Sequence, residues 1–352
     1  MKKGVYIPVC VFALLILTIS LVILIQIQGA NPSATLPRNS SSLASTRPPT
    51  DIDVVYTWVD SSDPEWRARR DALTRRKIRA QLITHSHRWP VLTQDLSELA
   101  ISVKSVRAFM PWVRNIYVVT ERPQKIDDPG LIFVHHDQIM TPSNLPTFNS
   151  QAIETGLHNI PGLAEHFIYF NDDMFVAQPV TPGDFFIEDK PVFRTGNKKT
   201  NWARNSPLAK HFMKKCVGTG PATVRMKKVM GGKVYTTDHQ AIPLTRTLMA
   251  VTEAKYKPHW DRTQTFAFRD DTNVAPVTMA LNHGLRTRGV HVLRDDRLRS
   301  DASEVANVRK VRTRDTLHMF CIHDLTTERQ LRELNDYIDA RIDKFIDHAP
   351  VR

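Results

Sequence analysis

The 23 residues from Val5 to Ile27 carry no charge. A helix of that length crosses a bilayer core of about 30 Å. The run therefore divides the chain before any other feature is read. Lys2 and Lys3 precede it, and only Arg38 and Arg47 follow before the globular part, so the N-terminus is expected on the cytosolic side. A cleaved signal peptide is the competing reading, with Gly29 and Ala30 small enough for a cleavage site. Its apolar region would be about 7–15 residues, shorter than this one. The expectation is a type II single-pass protein: a tail at 1–4, a transmembrane signal anchor at 5–27, a stem at 28–50 and a catalytic domain at 51–352. The stem is rich in Ser, Pro, Thr and Ala, a linker composition. Asn39-Ser40-Ser41 is a glycosylation sequon if that side is luminal.

Beyond residue 50 the composition is that of a globular protein, with 41% hydrophobic and 24% charged residues over the whole chain. That excludes a disordered tail and a bundle of spans. Three cysteines exclude a disulfide-dense scaffold and a Cys-based zinc cluster; Cys216 and Cys321 are free to pair in an oxidising lumen. The net charge of +12 points to anionic partners. The basic run Arg67, Arg69, Arg70, Arg75, Arg76, Lys77 and Arg79 has no nucleic-acid motif beside it, so it reads as a solvated helix face and no nucleic-acid partner is expected.

Short apolar runs alternate with helical patterns. Residues 53–59, 115–120, 132–135 and 167–170 read as strands, the last three as buried ones. Pro64 opens a helix through about Ile83, and Leu96 to Val106 carries a helical period into Pro111. Thr147 to Ile160 reads as a loop feeding a helix. Thr245–Ala254 and Thr326–Asp347 read as helices, whereas Asn197–Lys233 shows no clear period. The pattern predicts an α/β domain with an open, mostly parallel sheet and flanking helices. Ligands of such sheets sit beyond the carboxyl ends of the strands.

Polar residues at strand ends are then the candidates. Asp172 and Asp173 follow a buried strand; paired carboxylates suit a hard divalent cation, and Asn-Asp-Asp equally suits a turn. Asp53 and Asp60 flank another strand, with Asp60 to Pro64 reading as a turn and helix cap. Ser150 and Glu154 are four apart and share a helix face, as does His158; substrate contact and ordinary capping stay open there. His239, Arg246 and Arg269, taken singly, read as surface residues. There is no Walker A loop, no HExxH and no GxSxG.

Together these segments resemble the Stealth family, which includes the lysosomal-enzyme N-acetylglucosamine-1-phosphotransferase and bacterial capsule polysaccharide phosphotransferases. The first block is DIDVVYTWVDSSDP (51–64). The second comprises PWVRNIYVVT (111–120), LPTFNSQAIE (145–154) and FIYFNDDMF (167–175). The third is DHQAIPLTR (238–246) followed by Phe268-Arg269, with His239 and Arg269 30 apart; the fourth is FCIHD (320–324). Two positions depart from the family pattern: Ala100 replaces an arginine, and His323 replaces an asparagine.

The resemblance implies a nucleotide-sugar transferase-like fold. It implies transfer of a sugar-1-phosphate (hexose or N-acetylhexosamine) from a nucleotide diphosphate sugar, a UDP-sugar in expectation, to a hydroxyl of a glycan or glycoprotein. In those roles Asp172, Asp173 and Asp324 hold Mg²⁺ or Mn²⁺, His239 is the general base and Arg269 contacts phosphate, so that His239, Arg269 and the metal-holding Asp173 are the expected catalytic residues. Asp53, Tyr56, Trp58, Asp60, Ser150, Glu154 and Arg246 frame donor or acceptor. The implied location is the Golgi or secretory lumen in a eukaryote and the inner membrane in a bacterium. Three matters stay open: a glycosyltransferase that moves the sugar without its phosphate, a non-catalytic glycan-binding relative, and a homodimer as the working unit.

Overall fold

The computed structural model describes residues 51–79, 98–121, 128–194, 220–235, 240–293, 318–322 and 327–347, with Pro49, Thr237, Ala302, Ser303 and Leu325. All of them fall in one compact unit, Thr46–Arg352. The expected anchor at 5–27 and nearly all of the stem lie outside the described residues. Among the described residues no helix is long and apolar enough to cross a membrane.

The domain is built on a five-stranded sheet. Strands β1 (Ile52–Thr57), β2 (Ile116–Thr120), β3 (Leu131–His135) and β4 (His166–Asn171) are parallel, and β8 (Ile242–Thr245) closes the far edge antiparallel to β4. The order is β3-β2-β1-β4-β8. From β1 the chain winds outward through β2 to β3, then returns to lay β4 on the other side of β1. Strand order therefore reverses between β1 and β4, where open α/β sheets open a crevice at their carboxyl ends.

Both faces of the sheet are covered, which is why its strands read as near-continuous apolar runs. Alternate residues feed two cores. Val54, Tyr56, Ile116, Val118, Ile168 and Phe170 pack with Leu99, Val103 and Val106 of helix α2 (Glu98–Phe109). Val55, Tyr117, Val119, Phe167 and Tyr169 face the other way, onto Leu248, Met249 and Trp260 of α7 (Arg246–Gln264) and Val277, Ala280 and Leu281 of α8 (Pro276–Thr287). The expected helix from Pro64 is α1 (Pro64–Arg79), begun by a proline at a position that needs no N–H. Helix α7 runs ten residues beyond the expected Ala254 and kinks at Tyr256, two residues before Pro258, as proline in a helix interior dictates. The aperiodic stretch ending at Lys233 contains α6 (Gly220–Met230).

A smaller sheet anchors the chain just after β4. Strand β5 (Met174–Val176) pairs antiparallel with β11 (Met319–Ile322), which pairs with β10 (Ala302–Ser303). Two buried serines of α2 tie β5 down: Ser102 donates to the Met174 carbonyl, and Ser105 accepts from the Val176 amide at 3.0 Å. Helix α9 (Glu328–Asp347) covers this sheet with Leu334, Tyr337 and Ile338, as its spacing predicts. A third small sheet has the order β6-β7-β9 (Phe186–Ile187, Lys190–Arg194 and His291–Leu293).

Candidate active site

At the crevice, the register puts Thr57 of β1 directly opposite Asn171 of β4. Asp172 and Asp173 come next in the chain, half-buried, before β5 begins. Their fields reach into the protein. Asp172 raises the proton affinity of the buried phenols Tyr56 and Tyr169, each raised first of all by burial. Asp173 bonds the Cys321 thiol, which burial and the carboxylates of Asp173, Asp172 and Glu98 hold well above its usual range. The Ile322 amide donates to the Asp173 carbonyl at 3.0 Å, so β11 pins this end of β4.

The second arm of the site comes from far along the chain. Asn149 caps the short helix α4 (Ser150–Glu154) by accepting from the Gln151 amide at 3.1 Å. Its side-chain amide donates to the Phe266 carbonyl (3.2 Å) and to Asn273 Oδ1 (2.9 Å). The Phe148 amide donates to the Ala267 carbonyl at 2.8 Å. Phe148 and Phe268 stack with centroids 5.6 Å apart, and Trp66 of α1 meets Phe148 edge-on at 5.5 Å. These contacts lay the 266–273 loop along α4 and deliver Arg269 to Ser150, whose hydroxyl accepts from Arg269 Nη2 at 2.6 Å.

Glu154 sits one helical turn further in. Burial pushes its carboxyl up to about 7, against the opposing pull of Arg269, the Val277 amide and the Tyr169 hydroxyl. Its Oε2 is buried and has no hydrogen-bond partner. Tyr169 in turn reaches Thr57 and Asn171. Glu154, Ser150, Arg269, Tyr169, Thr57 and the Asn171-Asp172-Asp173 edge thus form one continuous cluster.

Four expected substrate contacts, Asp53, Arg246, Tyr56 and Trp58, are placed otherwise. Asp53 lies at the amino end of β1, wholly buried. It accepts from Arg114 Nε (2.9 Å) and Nη2 (2.7 Å) and from the Asn115 (3.1 Å) and Ala164 (2.7 Å) amides. It ties the amino ends of the strands together and does not face the crevice. Arg246 is also at the opposite edge, because β8 runs antiparallel and its carboxyl end abuts the start of β4. Its guanidinium donates to the His158 (3.1 Å) and Leu163 (3.3 Å) carbonyls. Tyr56 is core: fully buried, 5.3 Å from the Phe170 ring and bonded through its hydroxyl to Ser102 at 2.8 Å. Trp58 is buried in the same core. Asp60 stands at the carboxyl end of β1 and turns the chain by accepting from Ser62, while Asp63 caps α1 through the Glu65 amide at 2.8 Å. His158 pairs with Glu253 at 2.9 Å.

Three of the basic residues on this helix are engaged within the chain: Arg69 bonds Glu121 at 2.9 Å, Arg70 lies over Trp66, and Arg67 donates to the Ser62 carbonyl at 2.6 Å, while Arg75 and Arg76 are exposed, as expected of a solvated face. His239 and Asp324 lie outside the described residues, as do Cys216 and His323. Strand β8 starts with Ile242 opposite Tyr169, and β11 ends at Ile322, whose amide donates to the Asp173 carbonyl. Among the described residues no three His, Cys, Asp or Glu side chains converge on a metal position. Residue types alone gave no signal for Asn149 and Asn273, which assemble the second arm, or for Glu98, whose charge acts on Cys321.

Residues 50–77 match Stealth protein conserved region 1, and residues 93–193 match conserved region 2. The exopolysaccharide phosphotransferase CpsY of Mycobacterium tuberculosis is 32% identical over 289 residues, covering 78% of this chain and 52% of CpsY. An exopolysaccharide phosphotransferase of Streptomyces coelicolor is 36% identical over 242 residues, covering 64% of this chain and 42% of that protein. The capsular polysaccharide phosphotransferase LcbA of Neisseria meningitidis is 41% identical over 166 residues, covering 43% of this chain and 44% of LcbA. The chain thus spans about half the length of these relatives. Among solved structures, the galactosyltransferase LgtC with donor and acceptor sugar analogs aligns over 82% of this chain and 95% of its own at 11% identity, with a TM-score of 0.39. A superposition that loose carries no argument about function.

Proposed function

We propose that this chain, a Stealth protein by its conserved regions 1 and 2, transfers a sugar-1-phosphate from a nucleotide diphosphate sugar to a hydroxyl of a glycan. The acceptor oxygen attacks the β-phosphorus and forms a new P–O bond. The phosphoanhydride P–O bond breaks, and its electron pair leaves on a nucleoside monophosphate. The hydroxyl proton goes to His239, assigned as general base because imidazole titrates near neutral pH. The relatives named as polysaccharide phosphotransferases support this reading.

The observation that carries it is the meeting of Arg269 with Ser150 and Glu154 next to the Asp172-Asp173 edge. Phosphoryl-group transfer asks for charge stabilisation and positioning more than for covalent chemistry. Arg269 has a planar fork suited to phosphate oxygens, and the Ser150 bond aims it. The Phe148–Phe268 stack holds together the two segments that carry Ser150 and Arg269.

The carboxylate pair offers hard oxygen donors of the kind Mg²⁺ and Mn²⁺ take, and Mg²⁺ commonly needs only one or two carboxylates when phosphates complete its shell. Asp172 and Asp173, with Asp324, would hold such an ion, which when bound neutralises the diphosphate. The UDP-sugar donor, the glycan or glycoprotein acceptor and the anchored topology belong to the same proposal. Incubation with a panel of nucleotide sugars and an acceptor glycan tests it through the nucleotide released: the monophosphate supports it, the diphosphate contradicts it.

A further inference from the structure

We propose that the basic stripe formed by Lys255, His259 and Arg262 of α7 with Arg225 of α6 and His283 of α8 binds a polyanionic acceptor, a glycan chain that already carries phosphodiesters. This rests on the transfer reading above: each turnover of that reaction leaves one phosphodiester, and so one negative charge, on its product.

Helix α7 sorts its charges by face. Lys257 stands between Glu253 (3.7 Å) and Asp261 (2.8 Å), four residues to either side, and Glu253 also takes His158. Lys255, His259 and Arg262 follow the spacing of another face, and among the described residues none of them pairs with a carboxylate. Lys255 and Arg262 are exposed. Arg262 turns onto neutral groups instead: its Nε donates to Thr272 Oγ1 at 3.1 Å, and its guanidinium lies 5.4 Å from the Phe266 ring centroid. Arg225 Nη2 donates to His259 Nδ1 at 3.3 Å, and Arg225 Nε is buried with no partner. An arginine that takes an imidazole nitrogen as its acceptor, at that length, has no anion to hand.

Apolar contacts hold the three helices in this arrangement. Met226, Val229 and Met230 of α6 pack with Tyr256 of α7 and Met279 of α8. The Tyr256 ring meets His283 edge-on at 5.7 Å. Arg286 closes the carboxyl end of α6 by donating to the Met230 (2.6 Å) and Gly231 (2.5 Å) carbonyls. Cations therefore gather on a rigid frame with no acid between them. The two histidines register this: His259 is held low first by burial, then by Arg225 and Arg262, and His283 first by burial, then by Lys255 and Arg286. Like charge at such density is self-repelling until a bound anion offsets it.

The stripe leads to the site. Thr272, which Arg262 holds, lies on the loop that brings Arg269 to Ser150. From Lys255 to Arg262 the helix rises about 10 Å. The cations thus follow a track, which suits a chain of repeated negative charges better than a single phosphate, and guanidinium forks suit phosphate oxygens. An anionic lipid surface offers similar headgroups; continuity with the Arg269 loop favours the acceptor chain.

The test reads binding to the full chain without donor, by fluorescence anisotropy. The probes are a labelled oligosaccharide joined by phosphodiesters and one of the same length and sugars joined by glycosidic bonds. Wild type should bind the charged oligomer more tightly, and about 1 M salt should erase the preference. Lys255→Ala and Arg225→Ala should each weaken the charged oligomer by about 2–5-fold at low salt and leave the neutral one alone. Lys257→Ala, on the face that carries Glu253 and Asp261, should have little effect. In turnover, KM for the charged acceptor should rise in the same two variants at constant kcat, while the neutral acceptor keeps both constants. Wild type that binds the two oligomers alike overturns the proposal. An equal loss in Lys257→Ala reduces the effect to net charge and also overturns it. So does a loss seen only with phosphatidylglycerol vesicles, which makes the stripe a lipid contact. Should Arg225→Ala fail to fold, the exposed Lys255 decides. If binding depends on the stripe but wild type releases a nucleoside diphosphate in turnover, the surface stands and the transfer reading falls.

Discussion

Replacing Asp53 should cost stability and leave donor binding alone. Its carboxylate is wholly buried and receives four hydrogen bonds, two from Arg114 and one each from the Asn115 and Ala164 amides. In Asp53→Ala those amides lose their acceptor at the amino end of the sheet. A buried donor left unpaired costs about 1–3 kcal/mol. Arg114 also donates to the Gly162 carbonyl and its side chain is 37% exposed, so it recovers water and its part is discounted to about 1 kcal/mol. The total is roughly 3–5 kcal/mol, a large share of the ~5–15 kcal/mol that holds a domain together. Urea unfolding should show a lower midpoint with an unchanged slope. The milder Asp53→Asn should lose less stability, and its folded fraction should bind nucleotide sugar with a normal KM. An Asp53→Asn protein with an unchanged midpoint and a KM raised tenfold would refute the reasoning and return Asp53 to the donor site.

Two further outcomes are expected. His136, buried with neither ring nitrogen hydrogen-bonded, has its pKa lowered to about 4, first of all by burial and then by His135, with Asp137 opposing. Between pH 6.5 and 4 the unfolded chain binds the extra proton, so stability is complete above pH 6.5 and falls by roughly 3 kcal/mol toward pH 4; urea midpoints at several pH values should show this slope, and His136→Gln should flatten it. Asp173→Asn should cut turnover by roughly 10²-fold or more with an unchanged circular dichroism spectrum, and excess chelator should do the same to the wild type; full activity in chelator would return the Asp172-Asp173 pair to turn chemistry.

The strands were legible because burial on both faces leaves an unbroken apolar run, and β1, β2, β3 and β4 begin and end within two residues of the expected places. The acidic edge was legible for a related reason: Asn-Asp-Asp after such a run marks a carboxyl end. Asp53 shows the converse. It is as acidic as Asp173 and as close to a strand, but it stands at the amino end, where a buried carboxylate gathers backbone amides and an arginine. Arg246 misled for a reason no local pattern reveals. It follows β8 at that strand's carboxyl end, and only the antiparallel pairing of β8 with β4 carries it to the wrong edge. The approach of Arg269 to Ser150 depends on side-chain bonds such as Asn149 to Asn273, between residues 124 apart, a pairing that neither segment announces. Tyr169 was hidden in plain view, since a tyrosine in a buried strand reads as core until its hydroxyl is seen beside Thr57 and Asn171.

The central claim is that the bond broken is the phosphoanhydride. A donor carrying isotope at its β-phosphate, incubated with the full chain and an acceptor glycan, tests this most directly. The account predicts label in the glycan, as a phosphodiester, and an unlabelled nucleoside monophosphate. Label remaining on a released nucleoside diphosphate, with the sugar alone transferred, would contradict it.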